Sequence, residues 1–220
     1  KRFKGGCVTV PFKEVLFYEL LKKNKVDKIT KKIGAVNCLF KKNNTIFGTN
    51  TDGEASLKIF KKKFGNIKEK KCLILGFGGV GKAVGAFFNS DLESKVMISN
   101  RTNLSKNIIK KNNIDFIKWK DISKVIFKPN IIINCTSLGF NKNKKSPISA
   151  EKFNNIKKNT YFFDVIYNPL ETPFLKLAKL EVAIKQSDII IILVKHKEFT
   201  KLKIKKKLLK VGSLDFCNAL

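Results

Sequence analysis

Gly76-Phe77-Gly78-Gly79-Val80-Gly81 lies between two contrasting runs. Before it, Lys71-Cys72-Leu73-Ile74-Leu75 is apolar and strand-sized; after it, Lys82-Ala83-Val84-Gly85-Ala86-Phe87 suits a helix. A strand that passes through glycines directly into a helix leaves few folds open. Without Cβ atoms the turn lets backbone approach a pyrophosphate, whose charge then sits at the helix N-terminus. A glycine turn alone also fits a loop with no ligand. It is the strand–turn–helix context that points to a dinucleotide.

The alternation continues along the chain. Residues 72–75 read as a strand, 82–88 as a helix, 96–99 as a strand, 104–111 as a helix and 116–117 as a short strand. Residues 130–134 and 161–165 add strands; Pro169 and Pro173 then interrupt the pattern, and 174–180 is helical. Strands alternating with helices imply an α/β protein with a doubly wound parallel sheet. Upstream, a strand over 7–10 and a helix over 14–23 precede β-like runs at 35–40 and 45–49, separated by the turn pair Asn43-Asn44. Gly65-Asn66 ends a helix that begins after Asp52-Gly53. The tail repeats the pattern, with strands at 189–194 and 213–216 around a helix near 199–209.

Composition excludes several classes. At 220 residues the chain can bury a sizeable core, and no apolar run reaches the roughly 18 residues of a membrane span. Five cysteines (Cys7, Cys38, Cys72, Cys135, Cys217) have no paired spacing. The expectation is a reduced cytoplasmic protein with neither a disulfide framework nor a metal site. The formal charge of +29 invites a nucleic-acid reading, but only Arg2 and Arg101 are arginines. A phosphate-reading surface favours the bidentate guanidinium. Runs such as Lys61-Lys62-Lys63 and Lys205-Lys206-Lys207 therefore read as solvated faces. The expected partner is a small molecule, with no specific nucleic acid and no membrane.

Some polar residues stand out. After the second strand of the glycine-loop unit comes Ser99-Asn100-Arg101-Thr102, with no carboxylate to take a ribose 2′-hydroxyl but with an arginine suited to a 2′-phosphate. NADP is thus the expected cofactor; the plain alternative is a surface arginine after a strand. Lys13, just past Pro11, could face a cleft or simply be solvated. Asp52 could be a helix N-cap. Asn37, inside Ala35-Val36-Asn37-Cys38-Leu39, needs partners for its amide, which a hydroxylated substrate could provide.

Taken together, Val8-Thr9-Val10-Pro11-Phe12-Lys13, Ile33-Gly34-Ala35-Val36-Asn37, Asn50-Thr51-Asp52-Gly53, Asn100-Arg101-Thr102, Ile133-Asn134-Cys135-Thr136-Ser137-Leu138-Gly139 and Asp164-Val165-x-Tyr167-x-Pro169-x-x-Thr172-Pro173 resemble, in order, the motifs of shikimate dehydrogenases, over about residues 3–180. The resemblance implies a Rossmann-type fold and NADP-dependent reduction of 3-dehydroshikimate to shikimate in aromatic amino-acid biosynthesis. A relative acting on quinate, or a catalytically impaired nucleotide-binding fragment, are the alternatives. It implies Lys13 and Asp52 as the catalytic pair, and Thr9, Asn37 and Tyr167 as further substrate contacts. It implies Gly76, Gly78, Gly79, Val80, Gly81, Asn100, Arg101, Thr102, Thr136, Ser137 and Val165 as the cofactor site.

The chain departs from that pattern in three ways. The family's opening strand and helix, with a Ser-x-Ser carboxylate grip, do not precede Lys1, and Cys7 stands where the family has Asn. From about residue 182, Ser187-Asp188-Ile189 through Phe199, and Leu214-Asp215-Phe216-Cys217, resemble the C-terminal end of nucleotide-sugar dehydrogenases of the UDP-glucose kind; His196 there reads as structural. The expected organisation is a truncated substrate-binding piece over 1–53, an NADP-binding domain over 54–180 and a foreign α/β tail over 181–220. Such a chain is expected to bind NADP and to turn over shikimate poorly or not at all.

Overall fold

The computed structural model describes residues 3–9, 11–93 and 95–186, with side chains through 179, and the backbone of 190–192 and 213–215. The N-terminal part builds a small antiparallel sheet. Strand β1 (Gly5–Cys7) leads to helix α1 (Phe12–Lys22) and helix α2 (Lys28–Ile33), then to strands β2 (Cys38–Lys42) and β3 (Thr45–Thr49). The order is β1-β2-β3. Asn43 and Asn44 both take positive φ, 47° and 60°, and close a two-residue turn that pairs Lys42 with Thr45. This is the turn whose twist matches a hairpin.

Two expectations shift here. The first strand ends at Cys7 rather than running over 7–10, because Pro11 and the turn into α1 stop the ladder one rung later, at Val8 N–H to Asn37 O, 2.7 Å. Val10 lies outside the described residues. The second strand runs over 38–42 instead of 35–40, since its register is counted back from the Asn43-Asn44 turn. Residues 35–37 instead form a connection in which Ala35 and Val36 are buried, with Val36 N–H donating to Lys13 O at 2.9 Å. Helix α2 has no counterpart among the expected elements, although its signals are present. Asp27 caps it by accepting from Thr30 N at 2.7 Å, and Gly34 ends it at φ 76°.

Helix α3 (Asp52–Phe64) leads from this sheet to the larger one. There, β4 (Cys72–Leu75), α4 (Gly79–Asp91), β5 (Met97–Asn100), α5 (Lys106–Asn112), β6 (Asp115–Lys118), β7 (Ile131–Asn134), α6 (Ala150–Phe153) and β8 (Tyr161–Asp164) alternate. Neither α6 nor the 3₁₀ segment Trp119–Lys124 is foreshadowed by the sequence pattern. The five strands are all parallel in the order β6-β5-β4-β7-β8. Period-two alternation divides their side chains between two cores. Cys72, Ile74, Ile131 and Ile133 face Phe60 of α3 and Val84 and Phe88 of α4. Leu73, Leu75 and Ile132 face Ile122, Ile126, Phe153 and Phe174. Every residue of β4 and β7 is buried, as a sheet covered on both faces requires.

Helix α7 (Pro173–Gln186) begins at Pro173, whose fixed φ suits a first helical position. The expected boundaries at 53 and 180 fall inside α3 and α7. In the tail, β9 (Ile190–Ile192) and β10 (Ser213–Asp215) pair in parallel; the helix expected near 199–209, and His196, lie outside the described residues. No helix among the described residues is long and apolar enough to cross a membrane.

Candidate active site

The strand order reverses between β4 and β7, so the connections leaving their C-terminal ends diverge and open a crevice. The glycine loop occupies it. Gly76 has φ 98°, a conformation that L side chains rarely adopt, and a Cβ on Gly81 would stand 2.2 Å from Gly76 O. Both positions require glycine for the loop to turn tightly into α4. Gly78 precedes the helix in extended conformation and is exposed, with nothing within 4 Å of the place a Cβ would occupy. The free N–H groups of the first turn, from Gly79, Val80 and Gly81, open behind it. The Val80 side chain packs on the core beneath, as does that of Val165.

The loop after β5 is tied to the glycine loop. The Asn100 side chain accepts from Phe77 N at 3.1 Å and donates to Thr102 O at 3.0 Å. Arg101 and Thr102 are exposed beside it. Thr136 is placed differently from a free hydroxyl ligand. Its Oγ1 donates to Asn134 Oδ1 at 2.7 Å and accepts from Leu138 N at 3.1 Å, while its methyl abuts Gly76. Thr136 thus shapes the crevice wall, and Ser137 next to it is exposed.

The polar cluster assembles on the other side of the glycine loop. Lys13 lies in the first turn of α1 and Asp52 begins α3, yet Lys13 Nζ reaches Asp52 Oδ2 at 2.6 Å. Their side chains are only 13% and 25% exposed. Asn37 Nδ2 donates to the other carboxylate oxygen at 2.6 Å, and Asn37 Oδ1 accepts from Thr51 N at 2.9 Å. Asp52 is therefore not an N-cap. Thr51 holds that position and makes no side-chain cap bond, while the Asp52 carboxylate is taken by lysine and amide. The Asn37 amide finds its partners within the protein. A Cβ on Gly79 would lie 3.7 Å from both Cβ and Cδ of Lys13. The lysine stem thus crosses the start of α4, where an anion is favoured.

Thr9 is exposed and accepts from Phe12 N through its carbonyl at 2.9 Å. Tyr167, 78% exposed in the loop after β8, makes no hydrogen bond to the Lys13–Asp52–Asn37 cluster.

Three supports escape sequence reasoning. Asn50, 3% exposed, donates to Ala35 O at 2.9 Å and accepts from Asp52 N at 3.1 Å, fixing the start of α3. Glu14 accepts from Lys82 Nζ at 2.8 Å and ties α1 to α4 beside the Lys13–Gly79 contact. The fully buried Asn134 donates to both oxygens of Asp164 at 3.2 and 3.1 Å, and Asp164 accepts from Thr172 Oγ1 at 2.7 Å and Ile166 N at 3.0 Å. Burial pushes the Asp164 carboxyl above the ordinary aspartate value, against the opposing pull of Thr172, Ile166 and Asn134. A polar residue closing an apolar run, as Asn134 closes Ile131-Ile132-Ile133, is the signal that could have revealed this cluster.

Comparison with known proteins agrees with this architecture. The family model described as Shikimate / quinate 5-dehydrogenase matches residues 58–169. A shikimate dehydrogenase (NADP(+)) of Pelagibacter ubique is 36% identical over 181 residues, which is 81% of this chain and 64% of the relative. The structure of an Aquifex aeolicus shikimate dehydrogenase superposes with a TM-score of 0.69 at 34% identity, covering 81% of this chain and 64% of that one. The Thermus thermophilus shikimate 5-dehydrogenase, solved with NADP(H) and shikimate, gives 0.69 at 28% identity, covering 82% and 65%. The chain thus spans a little under two thirds of the length of these relatives. By the family-model match over residues 58–169 and by these similarities, the chain belongs to the shikimate / quinate 5-dehydrogenase family.

Proposed function

We propose that this chain is an NADP-dependent oxidoreductase that interconverts 3-dehydroshikimate and shikimate, a step of aromatic amino-acid biosynthesis. The observation that carries the reading is the Lys13–Asp52 pair, 2.6 Å apart, seated against Gly79 at the start of α4. An amine held beside the glycine loop can serve a ketone presented to a nucleotide bound there.

The residues suit that nucleotide. Exposed Gly78 and the first turn of α4 offer backbone donors to a pyrophosphate. Arg101, with Asn100 and Thr102 beside it, would take a 2′-phosphate, a reading supported by the absence of a carboxylate in Ser99-Asn100-Arg101-Thr102. Thr136 and Ser137, with Val165 packed behind, would border the nicotinamide. When bound, the reduced nucleotide supplies a hydride to the ketone carbon.

The protein's part is positional and protonic. Lys13 Nζ polarises the ketone oxygen and gives it a proton. Asp52 holds the ammonium in place and accepts a hydrogen bond from a ring hydroxyl, and Asn37 fixes the carboxylate that does so. Thr9 and Tyr167 contact the substrate from exposed positions. In this reading residues 1–53 form the substrate side, 54–180 the cofactor side and 181–220 a tail. The cysteine pattern supports a cytoplasmic setting, where thiols stay reduced.

Two measurements test it. Calorimetry should show NADP binding, and shikimate should drive nucleotide reduction, even if slowly. Lys13→Ala should lower kcat by about 10²–10⁴, the range of a positioned general acid, with a smaller change in substrate affinity. A Lys13→Ala variant with parent kcat would reduce Lys13 to a structural charge. An absence of NADP binding would overturn the reading as a whole.

A further inference from the structure

Cys7 and Cys38 are 31 positions apart in sequence but opposite one another across the β1–β2 ladder, where the register pairs them directly. The neighbouring hydrogen bonds define the kind of rung they occupy. Val8 N–H donates to Asn37 O at 2.7 Å, and Lys41 N–H donates to Lys4 O at 2.9 Å. Bonded and unbonded rungs alternate in an antiparallel ladder. With Val8–Asn37 and Lys4–Lys41 bonded, Cys7–Cys38 is an unbonded rung. There the two Cα atoms approach to about 4.5 Å and the side chains share one face. A disulfide spans Cα separations of roughly 4.4–6.8 Å, so this rung lies within its reach. Among the described strands, β1 pairs with β2 alone. Cys7 is exposed and Cys38 partly so, and both are free thiols.

The remaining described cysteines differ. Cys72 is fully buried in β4, and burial pushes its thiol and that of Cys135 well up. Only the thiolate attacks a disulfide, and these two are poorly placed to form one.

We propose that Cys7 and Cys38 are a redox-modification site, closing to an intramolecular disulfide when the protein meets a small-molecule disulfide such as oxidised glutathione. The thiolate of exposed Cys7 attacks one sulfur of the small molecule and releases one thiol. The Cys38 thiolate then attacks the Cys7 sulfur and displaces the second thiol. Two protein thiols are oxidised and one small-molecule disulfide is reduced to two thiols. The new bond staples β1 to β2 one rung from Asn37, whose amide holds Asp52. Closure therefore clamps the Val8–Asn37 rung from which the chain passes through Thr9 into α1.

The test exposes the folded 220-residue chain to oxidised glutathione, blocks free thiols and maps cross-links by peptide mass spectrometry. The expected result is a cross-link between the Cys7 and Cys38 peptides, no retained glutathione, and reversal by dithiothreitol. Cys38→Ser should trap glutathione on Cys7, and hydrogen exchange at the Val8 amide should slow on oxidation of the parent. In urea the same treatment should scatter among pairings. Retention of glutathione on Cys7 in the folded parent, cross-linking through Cys135 or Cys217 instead, failure of the pair to react, or the same selectivity in urea would each overturn the proposal.

Discussion

Arg101 carries a kind of charge that is scarce in this chain, where only Arg2 shares it among 46 basic residues. A guanidinium presents a planar fork to a phosphate, which a lysine ammonium cannot match. Arg101→Ala should therefore remove most of a preference for NADP over NAD, by about 1.5–3 kcal/mol for a charge-assisted contact. Parallel calorimetric titrations measure it, and equal affinities in the parent chain would rule it out. Asp164 provides a second prediction at this scale. Its folded-state pKa is raised, so between the ordinary aspartate value and the raised one the folded chain binds more protons than the unfolded chain. Its contribution to stability is therefore greatest below the ordinary value, falls as pH rises through that window, and is level above it. Asp164→Asn removes this dependence and sets an amide donor against the Asn134 donor. The variant should be less stable by about 1–3 kcal/mol, and its deficit should shrink as pH rises through the window. Urea unfolding across acidic pH would show it; a deficit that grows with pH would contradict the assignment.

Among the elements, the contact of α3 with α4 does most to join the two sheets. Gly53 sits in the first turn of α3, where a Cβ would stand 2.3 Å from Ala83 O and 2.5 Å from a ring carbon of Phe87. The helices meet there at backbone distance. Because Asp52 precedes Gly53, this approach also sets the height of the carboxylate relative to Lys13. Gly53→Ala should force the helices apart and cost about 1–3 kcal/mol, the usual penalty for overpacking. The same variant should weaken the Lys13–Asp52 contact and reduce kcat. Chemical denaturation reports the first effect and steady-state assays the second. A variant with parent stability would mean that the crossing has room to spare.

Over the whole molecule, the excess of 46 basic over 17 acidic residues creates a positive field that no single site explains. Exposed lysines on solvated faces attract polyanions by counterion release, without reading sequence. The chain should bind heparin or arbitrary DNA at low salt, and should lose at least about tenfold in affinity between roughly 50 and 200 mM salt. Binding that survives high salt, or that discriminates between DNA sequences, would indicate a built nucleic-acid site. Fluorescence anisotropy with two unrelated duplexes distinguishes the outcomes.

The sequence by itself determined the features that depend on near neighbours. The glycine loop, the short apolar runs of β4 and β7 and the Asn43-Asn44 turn are local patterns, and each appears where its pattern places it. Strand ends at β1 and β2 moved because pairing with another strand decides where a ladder starts and stops. The residues of the site were legible only in part. Taken singly, Lys13 could be solvated and Asp52 a cap; resemblance to a family paired them, and the fold brings them to 2.6 Å across 39 positions of chain. The Glu14–Lys82 tie joins distant elements and no spacing rule announces it, and of the Asn134–Asp164–Thr172 cluster the sequence signals Asn134 but not its partners. Cys7 and Cys38 make the point most directly. Their separation in sequence suggests no partnership, and only the β1–β2 register, which a slip of one residue would undo, sets one thiol opposite the other.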